Sequence, residues 1–456
     1  LGVAYTTGIR EILGPIFDPV DFVAFFFRRS AALLIGHGSL GLVATKSISE
    51  TATRKASLDH LIELGHDIYR AESSMTWPGD AAVSVAVVHL HFGKWNGLRI
   101  LDAKVVSAIG ASLGALDGTI EPVRLKQRID YSQGTNLFGR AFVLDEAERQ
   151  RWLRDCPPVG KYLRNYMNGN VFGESPTGVG DLWVIDFGSL DQDSLNDCMP
   201  VVKYLSEAIS VERSNQTRQI HEHRPWLHWD KRESFYESAR KLTRIIGCVS
   251  PSRFLVFQFV DPNHLFDIGV RLFRSDKFDD LAILQSGIHE AWAYATSSKL
   301  GNSLRYLTSA TFDTFPFPRG SDDLARIGEE YHSLRRDIMI QSGDGPTRLY
   351  SRFHSAADLA MDIGRLRDLH RTLDCVVAES FGWQDIDFEH GFHETKHGNR
   401  YTISEAARNN VLARLSKLNS RRKAEEEAEA LVFGTIAPVK RGRKSKAVGG
   451  QATLDL

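Results

Sequence analysis

The spacing of apolar residues along the chain changes character twice. Over residues 1–120 it switches repeatedly between helical and strand periods. In DPVDFVAFFFRRSAALL (Asp18–Leu34) apolar residues recur at helical spacing, with Asp18 or Asp21 placed to cap the start. SLGLVAT (Ser39–Thr45) predicts a short buried strand, and TRKASLDHLIELG (Thr53–Gly65) a helix closed by Gly65. HDIYRAESS (His66–Ser74) and AAVSVAVVHLHF (Ala81–Phe92) predict two more strands. Val and Ala run through the second, so it is expected to be covered on both faces. GKWNG (Gly93–Gly97) turns into LRILDA. This order is that of half a doubly wound α/β sheet ending in an antiparallel hairpin.

From about residue 121 to 321, short strand-like runs (RAFVL, DLWVIDF, FLVFQFV, VRLF) sit among Gly, Pro, Asn and Asp turns, interrupted by helices such as LAILQSGIHEAWAYATS (Leu281–Ser297). This predicts an α+β domain closed by TFDTFPFPRGS. Residues 322–428 read as helical, and 429–456 as a basic, glycine-rich tail without order. No internal repeat is present.

A chain of 456 residues supports about two to four domains with large cores. Its 42% hydrophobic and 25% charged content is that of an ordinary globular protein. A formal net charge of −1 provides no global basic field, so any nucleic-acid contact must come from a local patch. The four cysteines (Cys156, Cys198, Cys248, Cys375) form no CxxC pair, which excludes a zinc ribbon and a disulfide framework and suggests a reducing compartment. With no membrane-length apolar run and no signal peptide, a cytoplasmic protein is expected.

Three motifs point toward chemistry that their context does not support. GHGSLG (Gly36–Gly41) fits a dinucleotide fingerprint, but a helix precedes it and a strand follows, the wrong polarity for phosphate on a helix N-terminus. It reads as a helix-to-strand turn. HETKH (His393–His397) fits a zinc-protease motif but is flanked by Gly391 and Gly398 without helical periodicity, and reads as a polar loop. In DCPPVGKY (Asp155–Tyr162), Cys156 separates the acid from the prolines and Val159 stands where an aromatic would, so it reads as a linker turn.

The helix DFVAFFFRRSAALL, turn IGHGS, strand LGLVATKSI and corner TWPGDAAVSVAVVHL, in that order, resemble the second half of a class I S-adenosylmethionine-dependent DNA adenine-N6 methyltransferase. The turn departs mildly, being Gly36-His37-Gly38 instead of a Pro-Gly-Gly-like sequence. Beyond it, QSGIHEAWA, SLRYLTSATFDTFPFP, RLRDLHRTLDCVVAESFGW and FHETKHGNRYTISEAARNNVLARLSKLN are similar to the recognition and helical C-terminal domains of large MmeI-like (type IIL) modification enzymes, some related to phage defence. The resemblance implies a partial Rossmann-like methyltransferase sheet (1–120), a DNA target-recognition domain (121–321), a helical C-terminal domain (322–428) and a disordered tail. It implies double-stranded DNA as substrate, S-adenosylmethionine as donor and a nuclease or defence-system protein as a partner.

The exocyclic amine of adenine is a weak nucleophile, and the family activates it with a D/N-P-P-Y/F loop whose oxygens accept the amine protons. The sequence contains neither that loop nor a glycine-rich cofactor motif. Both are expected upstream of residue 1, making the chain an N-terminally truncated fragment without methyl transfer of its own. The alternative is a non-catalytic DNA-recognition subunit working with a separate catalytic chain. The resemblance places Trp77, followed by Pro78, against the flipped adenine; packing in the core is the other reading of Trp77. In HEHRPWLHWDKRESFY (His221–Tyr236), Arg224, Lys231 and Arg232 alternate with Trp226 and Trp229, and Arg213 and Arg218 precede them. These five cations form a candidate DNA surface, the alternative being a solvated face with both tryptophans in the core. The tail KRGRKSK (Lys440–Lys446) would add nonspecific attraction or simply solvate.

Overall fold

The computed structural model describes residues 20–77, 83–106, 108–114, 122–213, 224–300, 303–395 and 398–432. Asp18 and the basic tail lie outside them. Helix α1 (Val23–Ala31) is shorter than its apolar pattern, because the Asp21 carboxylate accepts from Val23 N–H at 3.2 Å and from the Thr45 and Ser47 hydroxyls. Strand β1 (Ser39–Thr45) follows through the glycine turn. Helix α2 (residues 51–63), with a π turn at Lys55–Asp59, crosses to β2 (His66–Thr76). Gly65 ends α2 at φ +90°, a conformation that favours glycine.

Strands β1 and β2 run parallel without touching. Strand β3 (Ser84–Phe92) lies between them and antiparallel to both, Val88 pairing with Leu42 on one side and Ala71 on the other. The predicted hairpin is present, with its second strand inserted into the crossover rather than added at the edge. Strand β4 (Arg99–Leu101) runs parallel to β2, and β5 (Lys104–Val106) closes the sheet. Ala86, Val88 and Leu90 face a core containing Phe27, Ile48 and Leu61. On the other face Val87 and His89 are only half-buried and Val43 is exposed. Val85 and His91 on that same face are buried, so among the described residues the second face of β3 is covered in part, less fully than composition predicted.

The rest rests on two four-stranded sheets. Strands β6 (Tyr131–Gln133) and β7 (Val143–Leu144) precede helix α3 (Glu146–Asp155), which Asp145 caps through a reciprocal bond with Glu148. Then come β8 (Leu163–Met167), α4 (Gly169–Glu174), β9 (Trp183–Ile185), α5 (Met199–Arg213) and α6 (Glu233–Ala239). Strands β10 (Ile245–Val249), β11 (Gln258–Val260), β12 (Leu265–Phe266) and β13 (Val270–Phe273) complete the sheets, ordered β11-β10-β13-β6 and β12-β8-β9-β7. Cys156 and Cys198, distant in sequence, meet in the core of the second sheet, where the Cys156 thiol donates to the Asp197 carbonyl at 3.4 Å.

The run Leu281–Ser297 predicts one helix and forms two, α7 (Phe278–Gln285) and α8 (Gly287–Thr296). Ser286 is extended, and its hydroxyl accepts from His289 N–H at 3.2 Å, capping α8. The freed Gly287 N–H donates to Asp374 at 2.7 Å, in a space a side chain at 287 would fill. The break therefore lets a helix N-terminus meet a buried carboxylate. A hairpin, β14 (Ser298–Leu300) with β15 (Ser303–Arg305), follows.

Helices α9 (Asp322–Ser342), α10 (Pro346–Phe353), α11 (Met361–Ser380) and α12 (Glu405–Val432) make up most of the C-terminal part. One core runs from Ile246 and Phe273 through Trp292 to Leu349, Leu373 and Leu415, so residues on both sides of 321 share it. The described part of the HETKH stretch, His393–Thr395, is strand and not helix. These residues end β16 (Gly391–Thr395), which pairs antiparallel with β17 (Gly398–Thr402), and the half-buried His393 ring bonds the Glu389 carbonyl at 2.8 Å. His397 lies outside the described residues. Among the described residues, no helix is long and apolar enough to cross a membrane.

Candidate nucleic-acid interface

Trp77 sits at the connecting end of the β2–β3 hairpin, its backbone N–H donating to the Val83 carbonyl at 3.0 Å. It is 42% exposed, beside exposed Met75 and Val83, and is not part of the buried core. Pro78 lies outside the described residues.

The cations of the 213–232 region divide by environment. Arg213 is only 6% exposed, and its guanidinium donates to the carbonyls of Leu137, Phe138, Pro225 and Leu227 at 2.7–3.2 Å. It also lies over the rings of Phe142 and Trp229, and burial lowers its pKa to about 10. The expectation that Arg213 grips phosphate is thus corrected: it is an internal brace, because the last turn of α5 points it under the 224–228 turn. Arg218 lies outside the described residues. Arg232 pairs with Asp230 at 3.2 Å, Lys231 donates to the Ser189 hydroxyl at 2.7 Å, and Arg224 is near the Asp191 carboxylate. Trp226 is core, donating to the Leu190 carbonyl at 3.3 Å, whereas half-buried Trp229 packs 5.1 Å from Phe138. The alternation of Trp and cations separates inside from outside, and the remaining cations have internal polar or acidic neighbours.

A second basic group emerges only in three dimensions. Ser252 and Leu304 exchange backbone hydrogen bonds at 2.9 and 3.0 Å, which brings the turn after β10 against β15. Arg253 and Arg305, both exposed, each directly follow one of the two bridged residues. Arg271 of β13 lies close to Arg305, and its pKa is lowered by burial and also by that charge. Beside them opens a cleft of about 350 Å³ lined by Asn170, Ser250, Ser252, Arg253, Asp267 and Thr347 among others. Asp267 is held in place, accepting from the Tyr166 hydroxyl at 2.9 Å and from Gly269 N–H at 2.8 Å. Guanidinium groups suit phosphates and guanine edges, and short hydroxyl and amide side chains suit base edges. Sequence reading missed this group because its arginines lie in separate segments. The only local signal was an Arg in each of two short polar stretches, SPSR and NSLR.

Comparison with known proteins defines the class. Residues 123–319 match the family model described as MmeI, target recognition domain. The fold over 93% of the chain superposes on the type IIL restriction–modification enzyme MmeI, solved in complex with DNA, with a TM-score of 0.70 at 15% identity. The chain spans about half of that enzyme, 55% of its length. A second solved structure, the type IIG restriction endonuclease BpuSI, gives a TM-score of 0.31 at 11% identity over 93% of this chain and 53% of that one, too low to establish a common fold. No curated protein sequence matches the chain. The central segment is thus similar to the MmeI target recognition domain, and the chain shares the fold of that enzyme over most of its own length.

Proposed function

We propose that this chain is the DNA-reading and base-holding portion of a site-specific DNA adenine-N6 methyltransferase of restriction–modification or phage-defence type. The observation that carries this reading is the match of residues 123–319 to the MmeI target recognition domain. In this reading the β1–β5 sheet is the closing half of the methyltransferase domain, residues 121–321 read the DNA, and 322–428 brace that domain. The substrate is double-stranded DNA and the partner a nuclease or defence protein. The order β1-β3-β2 supports the first assignment, since a crossover carrying an inserted antiparallel strand suits the end of a doubly wound sheet.

S-adenosylmethionine would supply the methyl group. The Gly36–Gly41 turn does not fit it, since the turn enters a strand and offers no helix N-terminus to the donor. The donor is therefore not placed on that turn, and this chain's part is to bind duplex and hold the extruded base. Trp77 offers an exposed indole face for stacking, worth about 1–3 kcal/mol per base. In an enzyme that also contains the catalytic loop, Trp77→Ala is expected to lower methylation roughly 5- to 150-fold with duplex affinity unchanged. Steady-state turnover equal to wild type would remove the stacking role.

Charge reversal separates the two basic surfaces. Arg253→Glu with Arg305→Glu is expected to weaken duplex binding and to reduce the slope of log K against log salt by about 1 per lost phosphate contact. Arg224→Glu with Lys231→Glu tests the other face. Fluorescence anisotropy across a salt series reads both. If neither pair changes affinity or slope, DNA recognition by this chain fails. If only the second pair does, the cleft is the wrong face.

A further inference from the structure

Residues 122–127 lead into the recognition domain from the side of the N-terminal sheet, and they cross the protein with little side-chain burial. Val123, Arg124 and Lys126 are exposed, Arg124 with 71% of its side chain accessible. Hydrogen bonds hold the segment instead. The Asn419 side chain of α12 pairs with Val123 as a neighbouring strand would: its Oδ1 accepts from Val123 N–H at 3.0 Å, and its Nδ2 donates to the Val123 carbonyl at 2.8 Å. The second Nδ2 hydrogen goes to the Thr314 carbonyl at 2.6 Å. Two turns further along α12, Glu426 accepts from Lys126 N–H at 2.8 Å. On the opposite side, Leu125 N–H donates to the Asp313 carbonyl at 2.7 Å, and the Gln127 amide to the carbonyls of Asp313 and Phe315 at 3.0 and 3.2 Å. Arg422 ties α12 to the same turn through the Phe317 carbonyl.

Asn419 is 1% exposed, an unusual environment for an asparagine on a helix. Both its amide hydrogens and one oxygen lone pair are committed, and aspartate could not donate to the two carbonyls. A buried amide of this kind specifies one path for the chain it clasps. We propose that α12 is a clasp for the segment entering the recognition domain, with Asn419 as its positioning residue and Glu426 as the outer contact. In the proposed methyltransferase, which this part of the inference rests on, the clasp fixes the span between the base-holding corner at Trp77 and the base-reading cleft at Arg253.

The test uses the full 456-residue chain without DNA. Arg124 and Lys126 are trypsin sites inside the clasped segment. Asn419→Asp and, independently, Glu426→Ala are expected to speed cleavage after these two residues at least tenfold, with cleavage elsewhere unchanged. Glu426 lies outside the core, so that variant keeps the test informative even if Asn419→Asp fails to fold. Unaltered cleavage in Glu426→Ala, or acceleration spread over the whole chain, overturns the clasp. In an enzyme that contains the catalytic loop, Glu426→Ala should lower kcat for methylation while duplex affinity stays constant. Faster cleavage with unchanged kcat overturns the positioning role. A wild-type enzyme that methylates no DNA overturns the proposed function and leaves the clasp standing.

Discussion

Arg213→Ala is expected to destabilise the recognition domain by about 3 kcal/mol and to leave the salt dependence of DNA binding unchanged wherever the variant is folded. The side chain is buried and donates to four carbonyls, two from the 137–138 turn and two from the 225–227 turn. Truncation removes a charged donor and leaves those carbonyls without it, where hydrogen bonds to charged groups are worth about 1.5–3 kcal/mol each before relaxation. Phe142 and Trp229, which pack against the guanidinium, would also border a cavity. Urea denaturation measures the loss, and a midpoint shift of about 1 M or more is expected for a urea slope of 1–3 kcal/mol/M. A variant of wild-type stability with a reduced salt slope would return Arg213 to the DNA surface.

The second large effect is acid destabilisation of the shared core. His289 is completely buried between Leu284 and Tyr306: Nδ1–H donates to the Leu284 carbonyl at 2.9 Å and Nε2 faces the Tyr306 hydroxyl at 3.1 Å. Both positions are filled with the ring neutral, and burial lowers its pKa to about 4. His332 is lowered to about 3 by burial and by Arg335, Arg244 and Arg336. His354 is lowered to about 3 by burial and by Arg400, His370 and Arg367. In the unfolded chain these rings gain protons near pH 6.5. Between that pH and their folded values, the unfolded state binds more protons, so stability falls as pH falls. The loss begins below about pH 6.5, and for His289 it reaches roughly 3 kcal/mol by pH 4. Asp280 and Glu290, whose carboxyls burial pushes up, take protons more readily in the folded state and offset part of the loss. Thermal unfolding at pH 7 and pH 5 should show a clearly lower midpoint at pH 5, with a smaller difference in His289→Gln. Equal midpoints at the two pH values would contradict this account.

Local signals located most elements. Gly65 ended its helix where expected, because a left-handed terminus needs glycine and that requirement is visible in one residue. The run Leu281–Ser297 did not reveal its break, since Ser286 and Gly287 are tolerable inside a helix and only Asp374, far along the chain, makes the interruption favourable. His393–Thr395, expected in a polar loop, form strand for a related reason: they are held by pairing with Gly398–Thr402, which local spacing does not record.

By itself the sequence determined the α/β start and the resemblance to MmeI-like enzymes, because these depend on periodicity and on motifs contiguous in the chain; that Trp77 is exposed and not core came only from the structure. The tertiary structure decided which charges are available. Arg213, which reads as a surface cation, is drawn inside by four carbonyls, while Arg271 and Arg305, unremarkable in separate segments, are brought close to each other, and Arg253 lines the neighbouring cleft. The same applies to Asn419, whose partners are nearly three hundred positions away in the case of Val123. Whether a polar side chain meets water or a buried carbonyl depends on long-range packing, and neither composition nor spacing records that.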